Sequence, residues 1–318
     1  MTRSRFVLVS LVLAAAAAQA QQPSWTVPEP SARCPSRWGA GDERGSMNLQ
    51  SPPLIQNAAK LIQLGEIVEL GHVLNNNMPM SATRQYNLHT KRTFMNPQSN
   101  QRGSNEELVT SEMGQVGTQF DGFAHQMHRD LFYNCVKLDD VQTRNGFTKF
   151  GIHNVGAIFT RGILLDIAAL KGVDVIMGGY EITVADLEAA LQKQGTRIQP
   201  GDAVLIHTGW GKLWGKDNKT YQFAGHAGIG VQAALWLARQ DPILLGADNG
   251  TVEISPNPDK QISLPVHQIA LVVYGIHLLE NLKLDELAAK KVYEFAFIMQ
   301  PIKMQGATGS TVAPIAVR

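Results

Sequence analysis

Short apolar runs and amphipathic segments alternate along most of the chain. Five of the apolar runs have the length and composition of buried β-strands. They cover residues 66–72, 162–168, 202–209, 242–248 and 294–302. The pattern therefore predicts strands that are distributed over the whole length of the chain.

The segments between these runs contain helix signals. Thr183 can cap a helix in which Asp186 is the third residue, and Gly195 can end that helix. Two more helices are predicted within residues 231–240 and 284–291. Strands and helices in mixed order, with no internal repeat and no dividing linker, predict an α/β fold.

Residues 73–110 are polar, contain proline and show no sustained period. Such a segment is typical of a long surface loop or of a disordered insertion. Tyr86, Phe94 and several methionines offer side chains to bury, which favours the loop. Loops of this length often carry function.

The first twenty residues differ from the rest. Arg3 and Arg5 precede an apolar run, and Ala18, Gln19 and Ala20 form a small-x-small site after it. This order is typical of a secretory signal peptide, and the run is too short for a stable membrane anchor. We therefore expect cleavage after the signal peptide, residues 1–20, and a periplasmic or secreted protein without a membrane partner.

A proline-rich arm, residues 21–45, follows the signal peptide, and residues 46–318 form the predicted domain. Cys34 lies in the arm and Cys135 in the domain. Two cysteines do not make a disulfide framework. A Cys34–Cys135 bond and two separate thiols both agree with the sequence.

Composition narrows the classes of function. The 318 residues are 44% hydrophobic and 17% charged, with a formal net charge of +1. A chain of this length and composition can bury a substantial core. It lacks the basic footprint of a nucleic-acid-binding protein, so we expect no nucleic-acid partner.

Residues 115–125 contain several side chains that can bind a metal ion or act in catalysis. If residues 115–121 are extended, Gln115, Gln119 and Asp121 point to one side, because side chains alternate along a strand. Gly117 leaves that side open, and His125 lies just beyond. The arrangement suits a cation or a polar substrate, although a polar turn that satisfies its own backbone explains the same residues.

His267 and Glu280 flank a second apolar stretch. A carboxylate beside a buried run needs a partner, which a metal or another side chain can supply. A surface ion pair with Lys283 for Glu280 and a helix cap for His267 are the alternatives.

Taken together, these segments resemble the metal-dependent cyclase family that includes bacterial kynurenine formamidase and isatin hydrolase. The family pattern is His-x-Gly-Thr-His-x-Asp-x-Pro-x-His. This sequence has, at the corresponding positions, Gln115, Gly117, Thr118, Gln119, Asp121, Phe123 and His125. Later blocks, from "RGILLDIA" to "PIKMQGATGSTVAPIAV", follow in the family's order.

The resemblance implies one compact α/β domain with a mixed β-sheet and flanking helices. It also implies a homo-oligomer, a dimer or a tetramer, and one or two divalent metal ions that activate a water molecule. Asp121, His267 and Glu280 stand at metal-ligand positions, and His125 stands where the family has its general acid/base.

The chain departs from the family pattern at two ligand positions, where Gln115 and Gln119 replace histidines. An amide oxygen is a neutral and harder ligand than an imidazole. If both glutamines bind metal, the preference should move from Zn²⁺ toward Mn²⁺ or Mg²⁺.

Aromatic residues in the family blocks favour an aromatic or cyclic substrate. The candidate substrate contacts are Phe120, Phe123, Trp210 and His226. Simple core packing is the alternative for the three aromatic residues.

The sequence therefore predicts an exported metal-dependent hydrolase of an amide, N-formyl or lactone bond in a small molecule. A binding protein that has lost metal chemistry, or a lyase or dehydratase at the same site, are the alternative functions.

Overall fold

The computed structural model describes residues 24–318, so the predicted signal peptide, residues 1–20, lies outside the described residues. Fifteen strands are formed within that range. They are β1 (Ile67–Glu69), β2 (Tyr86–Met95), β3 (Gly103–Ser111), β4 (Gln119–Asp121), β5 (Gln142–Thr143), β6 (Gly146–Phe147), β7 (Ile158–Asp166), β8 (Glu181–Ile182), β9 (Ala203–His207), β10 (Gly228–Ile229), β11 (Leu244–Ala247), β12 (His277–Glu280), β13 (Glu294–Met299), β14 (Gly309–Thr311) and β15 (Ile315–Val317).

The same range contains nine α-helices and one π-helical segment, Gln268–Tyr274. The α-helices are α1 (Pro30–Arg33), α2 (Pro52–Ala59), α3 (Leu138–Val141), α4 (Ile167–Lys171), α5 (Val184–Gln194), α6 (Asn218–Phe223), α7 (Val231–Ala238), α8 (Pro265–His267) and α9 (Asp285–Ala289).

Nine strands form one mixed sheet in the order β1-β15-β13-β7-β9-β11-β12-β4-β14. The central strands β7, β9, β11 and β12 are parallel, and the pairs toward both edges are antiparallel. This architecture confirms the predicted single α/β domain with a mixed sheet and flanking helices.

The central strands are apolar on both faces because both faces are covered. In β7, Ile163 and Leu165 belong to a core cluster that includes residues of α5 and α7, whereas Leu164 belongs to a second cluster on the opposite face. Strands that are buried on both sides appear in a sequence as continuous apolar runs. All five predicted runs overlap a strand of this sheet.

The helix signals are also confirmed. The side-chain hydroxyl of Thr183 accepts a hydrogen bond from the backbone N–H of Asp186, and the carboxylate of Asp186 accepts one from the backbone N–H of Thr183. Gly195 ends α5 with φ 67°. Helices α7 and α9 lie within the two other predicted segments.

Residues 73–110 are neither a structureless loop nor disordered. Strands β2 and β3 within and just beyond this segment form an antiparallel hairpin, most of whose residues are exposed. Both faces of the hairpin meet solvent, so the sequence does not show the alternation of apolar and polar residues that marks a half-buried strand. Tyr86 at its base is buried and packs with Met78 and Val116.

The arm is joined to the domain by a disulfide between Cys34 and Cys135, with 6.0 Å between the two Cα atoms. Of the two readings that the sequence allowed, the bonded one is found. In the described part of the chain, no helix is long and apolar enough to cross a membrane.

Candidate metal centre

The centre is built on β4, which lies between β12 and β14 in the sheet. Gln119 and Asp121 project from one face of this strand, while Phe120 between them enters the core on the other face. Glu280 is the direct cross-strand partner of Gln119. The Nε2 of Gln119 donates to Oε2 of Glu280 over 2.8 Å.

The prediction that residues 115–121 are extended is correct only for the last three. Residues 113–118 form a turn followed by bends, in which Gly117 has φ +68°, a conformation that favours glycine. A Cβ at this position would lie 2.3 Å from Cδ2 of Leu74. Gln115 therefore reaches the centre from the turn and not from the strand.

The Asp121 carboxylate is the centre of the cluster. The residue is 0% exposed, and neither carboxylate oxygen has a hydrogen-bond donor among residues 24–318. Its Oδ2 lies 3.8 Å from Nε2 of His267 and 3.9 Å from Nε2 of His125. One ligand atom from each of the three residues lies within 4.8 Å of the other two, as metal ligation requires.

Glu280 completes the negative charge of the cluster. Its Oε1 lies 3.1 Å from Nε2 of His267, although no hydrogen bond of good geometry forms there. Burial, together with repulsion from Asp121, raises the pKa of Glu280 to about 7. Two carboxylates buried so close together favour a cation between them.

His267 is oriented by Glu253. Nδ1 of His267 donates to Oε1 of Glu253 over 2.6 Å, and the backbone N–H groups of Val266 and His267 bond the same carboxylate at 3.1 Å. Burial alone would lower the pKa of His267, but Glu253 and Glu280 raise it to about 10. A carboxylate behind a histidine is the usual arrangement at a metal ligand.

Gln115 and Gln119 do not direct their amide oxygens to the cluster. Arg84, at the base of the hairpin, bonds Oε1 of Gln115 over 3.0 Å and lies 3.5 Å from Oε1 of Gln119. Nε2 of Gln115 lies 3.1 Å from Nδ1 of His125. The sequence left open whether the two glutamines bind metal, and in the structure their oxygens face a guanidinium and not the cluster.

Arg84 had no signal in the sequence, since it lies in a segment without periodicity and contacts residues about thirty positions away. The segment's length was the only hint that it carries function.

Beside the cluster lies a cavity of about 540 Å³. Its wall includes Arg84, Gln115, Gln119, Tyr221 and His226. Nδ1 of His226 donates to the carbonyl of Ala227, and burial lowers the pKa of His226 to about 4. A neutral histidine on the wall suits its predicted contact with the substrate.

The other three predicted substrate contacts are core residues. Phe120, Phe123 and Trp210 are at most 1% exposed and lie off the cavity wall, as the alternative of simple core packing expects. Phe123 stacks on His277 at 4.2 Å, and Nδ1 of His277 donates to the backbone carbonyl of Asp121 over 2.8 Å. These aromatic residues support the strand that carries Asp121.

Comparison with known proteins identifies relatives of the fold. The Cyclase family model matches residues 68–254. A crystal structure described as a novel cyclase is 32% identical, with a TM-score of 0.80 over 89% of this chain and 98% of that one. Isatin hydrolase A from Ralstonia solanacearum is 22% identical, with a TM-score of 0.56 over 79% of this chain and 91% of that one.

An isatin hydrolase bound to the product analogue thioisatinate is 19% identical, with a TM-score of 0.58 over 84% of this chain and 98% of that one. No functionally curated protein matches the chain. The family match covers more than half of the chain, and the novel cyclase agrees with it in sequence and in fold. The chain belongs to the cyclase family.

Proposed function

We propose that this protein is a metal-dependent hydrolase that cleaves an amide, N-formyl or lactone bond of a small molecule. The observation that carries the proposal is the Asp121 carboxylate, which is fully buried and has no donor for either oxygen within residues 24–318. An ionised carboxylate in such surroundings costs several kcal/mol unless a cation or donors compensate it, by an order-of-magnitude estimate. A divalent ion compensates it directly.

The residues around Asp121 fit such an ion. Asp121 and Glu280 supply carboxylate oxygens and His267 supplies an imidazole nitrogen, a mixed set that suits Mn²⁺ or Zn²⁺. When bound, the ion would supply a Lewis acid that polarises a carbonyl oxygen and lowers the pKa of a water molecule.

The chain's own residues orient the reaction. Glu253 fixes the ring of His267 so that Nε2 points at the two carboxylates. The Nε2 of His125 lies 3.9 Å from Oδ2 of Asp121, close enough to act on a group held at the ion. The adjoining cavity, with amides, a tyrosine and a neutral histidine on its wall, suits a small polar or aromatic substrate.

Proteins that share this fold support the same chemistry. The isatin hydrolases with this fold are named for a substrate that is a cyclic amide. The predictions of export and of a homo-oligomer remain part of the proposal.

The experiment is a metal titration combined with a substrate screen. The purified protein is stripped with a chelator, reloaded with Mn²⁺ or Zn²⁺, and tested on N-formyl, amide and lactone compounds. We expect about one equivalent of metal per chain and hydrolysis that disappears on stripping and returns on reloading.

Asp285→Asn is the matched control, because Asp285 is also a carboxylate next to a histidine but lies outside this cluster. Its metal content should equal that of the unmodified protein. Full activity after complete removal of metal would contradict the proposal. Ligand binding without turnover in the loaded protein would favour the binding-protein alternative.

A further inference from the structure

The contacts of Arg84 set the direction of a chain of hydrogen bonds. A guanidinium has only donors. Its Nη1 donates to the backbone carbonyl of Gln115 over 2.7 Å, and its Nη2 donates to Oε1 of the same residue over 3.0 Å. The side-chain oxygen of Gln115 must therefore face Arg84.

The orientation of Gln115 then decides the protonation of His125. With its oxygen on Arg84, the amide NH₂ of Gln115 faces Nδ1 of His125 at 3.1 Å. An NH₂ group donates, so Nδ1 must accept. In the neutral ring the proton is then on Nε2, the nitrogen that faces Asp121 at 3.9 Å.

His267 has the opposite arrangement. Its Nδ1 faces the Glu253 carboxylate, which can only accept when ionised, so Nδ1 carries a proton. In the neutral ring Nε2 of His267 has a free lone pair, as a metal ligand needs. The partner of Nδ1 is a donor at His125 and an acceptor at His267. Nε2 can therefore donate a hydrogen bond at His125, whereas it can bind metal at His267.

Arg84 also excludes a second divalent ion from the glutamine side. Its guanidinium lies within 3.5 Å of the side-chain oxygens of both Gln115 and Gln119. A dication on those oxygens would sit against a fixed positive charge at close range in a partly desolvated site.

We infer that Arg84 is a positioning residue which, through Gln115, holds His125 as the neutral tautomer with its proton on Nε2. His125 then donates a hydrogen bond to the substrate's carbonyl oxygen and does not bind the ion, and the site holds one ion. This inference rests on the proposed function. A neutral histidine that donates in this way stabilises the negative charge that develops on an oxyanion.

The test is ¹⁵N NMR of the histidine rings in the Zn²⁺-loaded protein, which is diamagnetic, with the His125 signals identified by their loss in His125→Gln. We expect Nδ1 of His125 at the position of an unprotonated nitrogen and Nε2 at that of a protonated one. In Arg84→Met, both signals should move toward intermediate positions because Gln115 is free to rotate. Metal content should remain at one equivalent.

Gln115→Glu is a second variant, which reverses the direction of the hydrogen bond between residue 115 and Nδ1 of His125. A carboxylate accepts from Nδ1, so the proton should move to Nδ1 and leave Nε2 with a free lone pair. Arg102→Met, at an exposed position of the hairpin, is the matched arginine control and should change neither signal.

A proton on Nδ1 of His125 in the unmodified protein would overturn the inference, as would an unchanged tautomer in both Arg84→Met and Gln115→Glu. Two equivalents of metal in the unmodified protein would overturn its single-ion part. Absence of bound metal with the expected tautomer would instead contradict the proposed function.

Discussion

Two buried histidines, His207 and His267, each lie among carboxylates near the carboxyl ends of the parallel strands. Around His207 the charges are compensated. Its Nδ1 bonds Asp166 over 2.8 Å, and its Nε2 faces Asp285 at 3.4 Å and Asp248 at 3.8 Å. Oδ1 of Asp248 also accepts from the backbone and the hydroxyl of Thr208.

Around His267, two carboxylates have oxygens without hydrogen-bond donors in the described part of the chain. Glu253 has its donors, but both oxygens of Asp121 and one of Glu280 lack any within residues 24–318. A buried carboxylate that is left without donors is costly, and folded proteins keep such groups mainly where a ligand supplies the missing partner. The difference indicates a stabilising role for the His207 cluster and supports the proposal that the His267 cluster binds metal.

The largest effect is expected from Asp121→Asn, which removes one charge and almost no volume. We expect affinity for metal to fall more than about 100-fold, beyond the loss typical of residues behind a ligand. The metal-free variant should be about 1–3 kcal/mol more stable than the metal-free parent, because a buried carboxylate without hydrogen-bond donors is gone. Elemental analysis and urea unfolding measure both, and a metal-free variant less stable than its parent would contradict this view of the cluster.

His207→Gln should have the opposite effect, lowering stability while leaving metal binding unchanged. It leaves the carboxylates of Asp166 and Asp248 without their positive partner, which costs about 3–5 kcal/mol of stability. Metal content should stay at one equivalent, because none of these groups touches Asp121. Urea unfolding of the metal-loaded variant measures the loss of stability. Loss of metal from a folded variant would contradict separate roles for the two clusters.

Local signals explain which features the sequence predicts. The Thr183 cap and the continuous apolar strands depend on neighbouring residues, so the fold could be predicted, whereas the hairpin within 73–110 lacks the alternation that a covered face imposes. Asp121 could be placed through its family pattern. Glu253 and Arg84 could not, because their roles arise only when distant segments meet.

Glu253→Gln should weaken metal binding about 10–100-fold, since it acts behind the ligand His267. The amide can still accept from the backbone N–H of His267, but it no longer fixes the proton on Nδ1 as strongly. Competition with a chelator of known affinity measures the change. Asp166→Asn, behind His207, is the matched control, and equal losses in both variants would show that the effect is not specific to the metal cluster.

The most gradual effect, when it is counted per pH unit, is a pH dependence of stability that the two clusters should share only when metal is absent. Burial alone lowers the pKa of His207, but bonds to Asp166 and Asp285 raise it from 6.5 to about 10. A raised folded-state pKa gives stability that is complete below pH 6.5 and is lost as the pH rises toward 10, with a slope of at most about 1.4 kcal/mol per pH unit. His267 in the metal-free protein should add a similar slope, which bound metal removes because the ion replaces the proton on Nε2. Urea unfolding between pH 6.5 and 10 should therefore show a steeper loss without metal, and parallel curves with and without metal would contradict the assignment of His267 as a ligand.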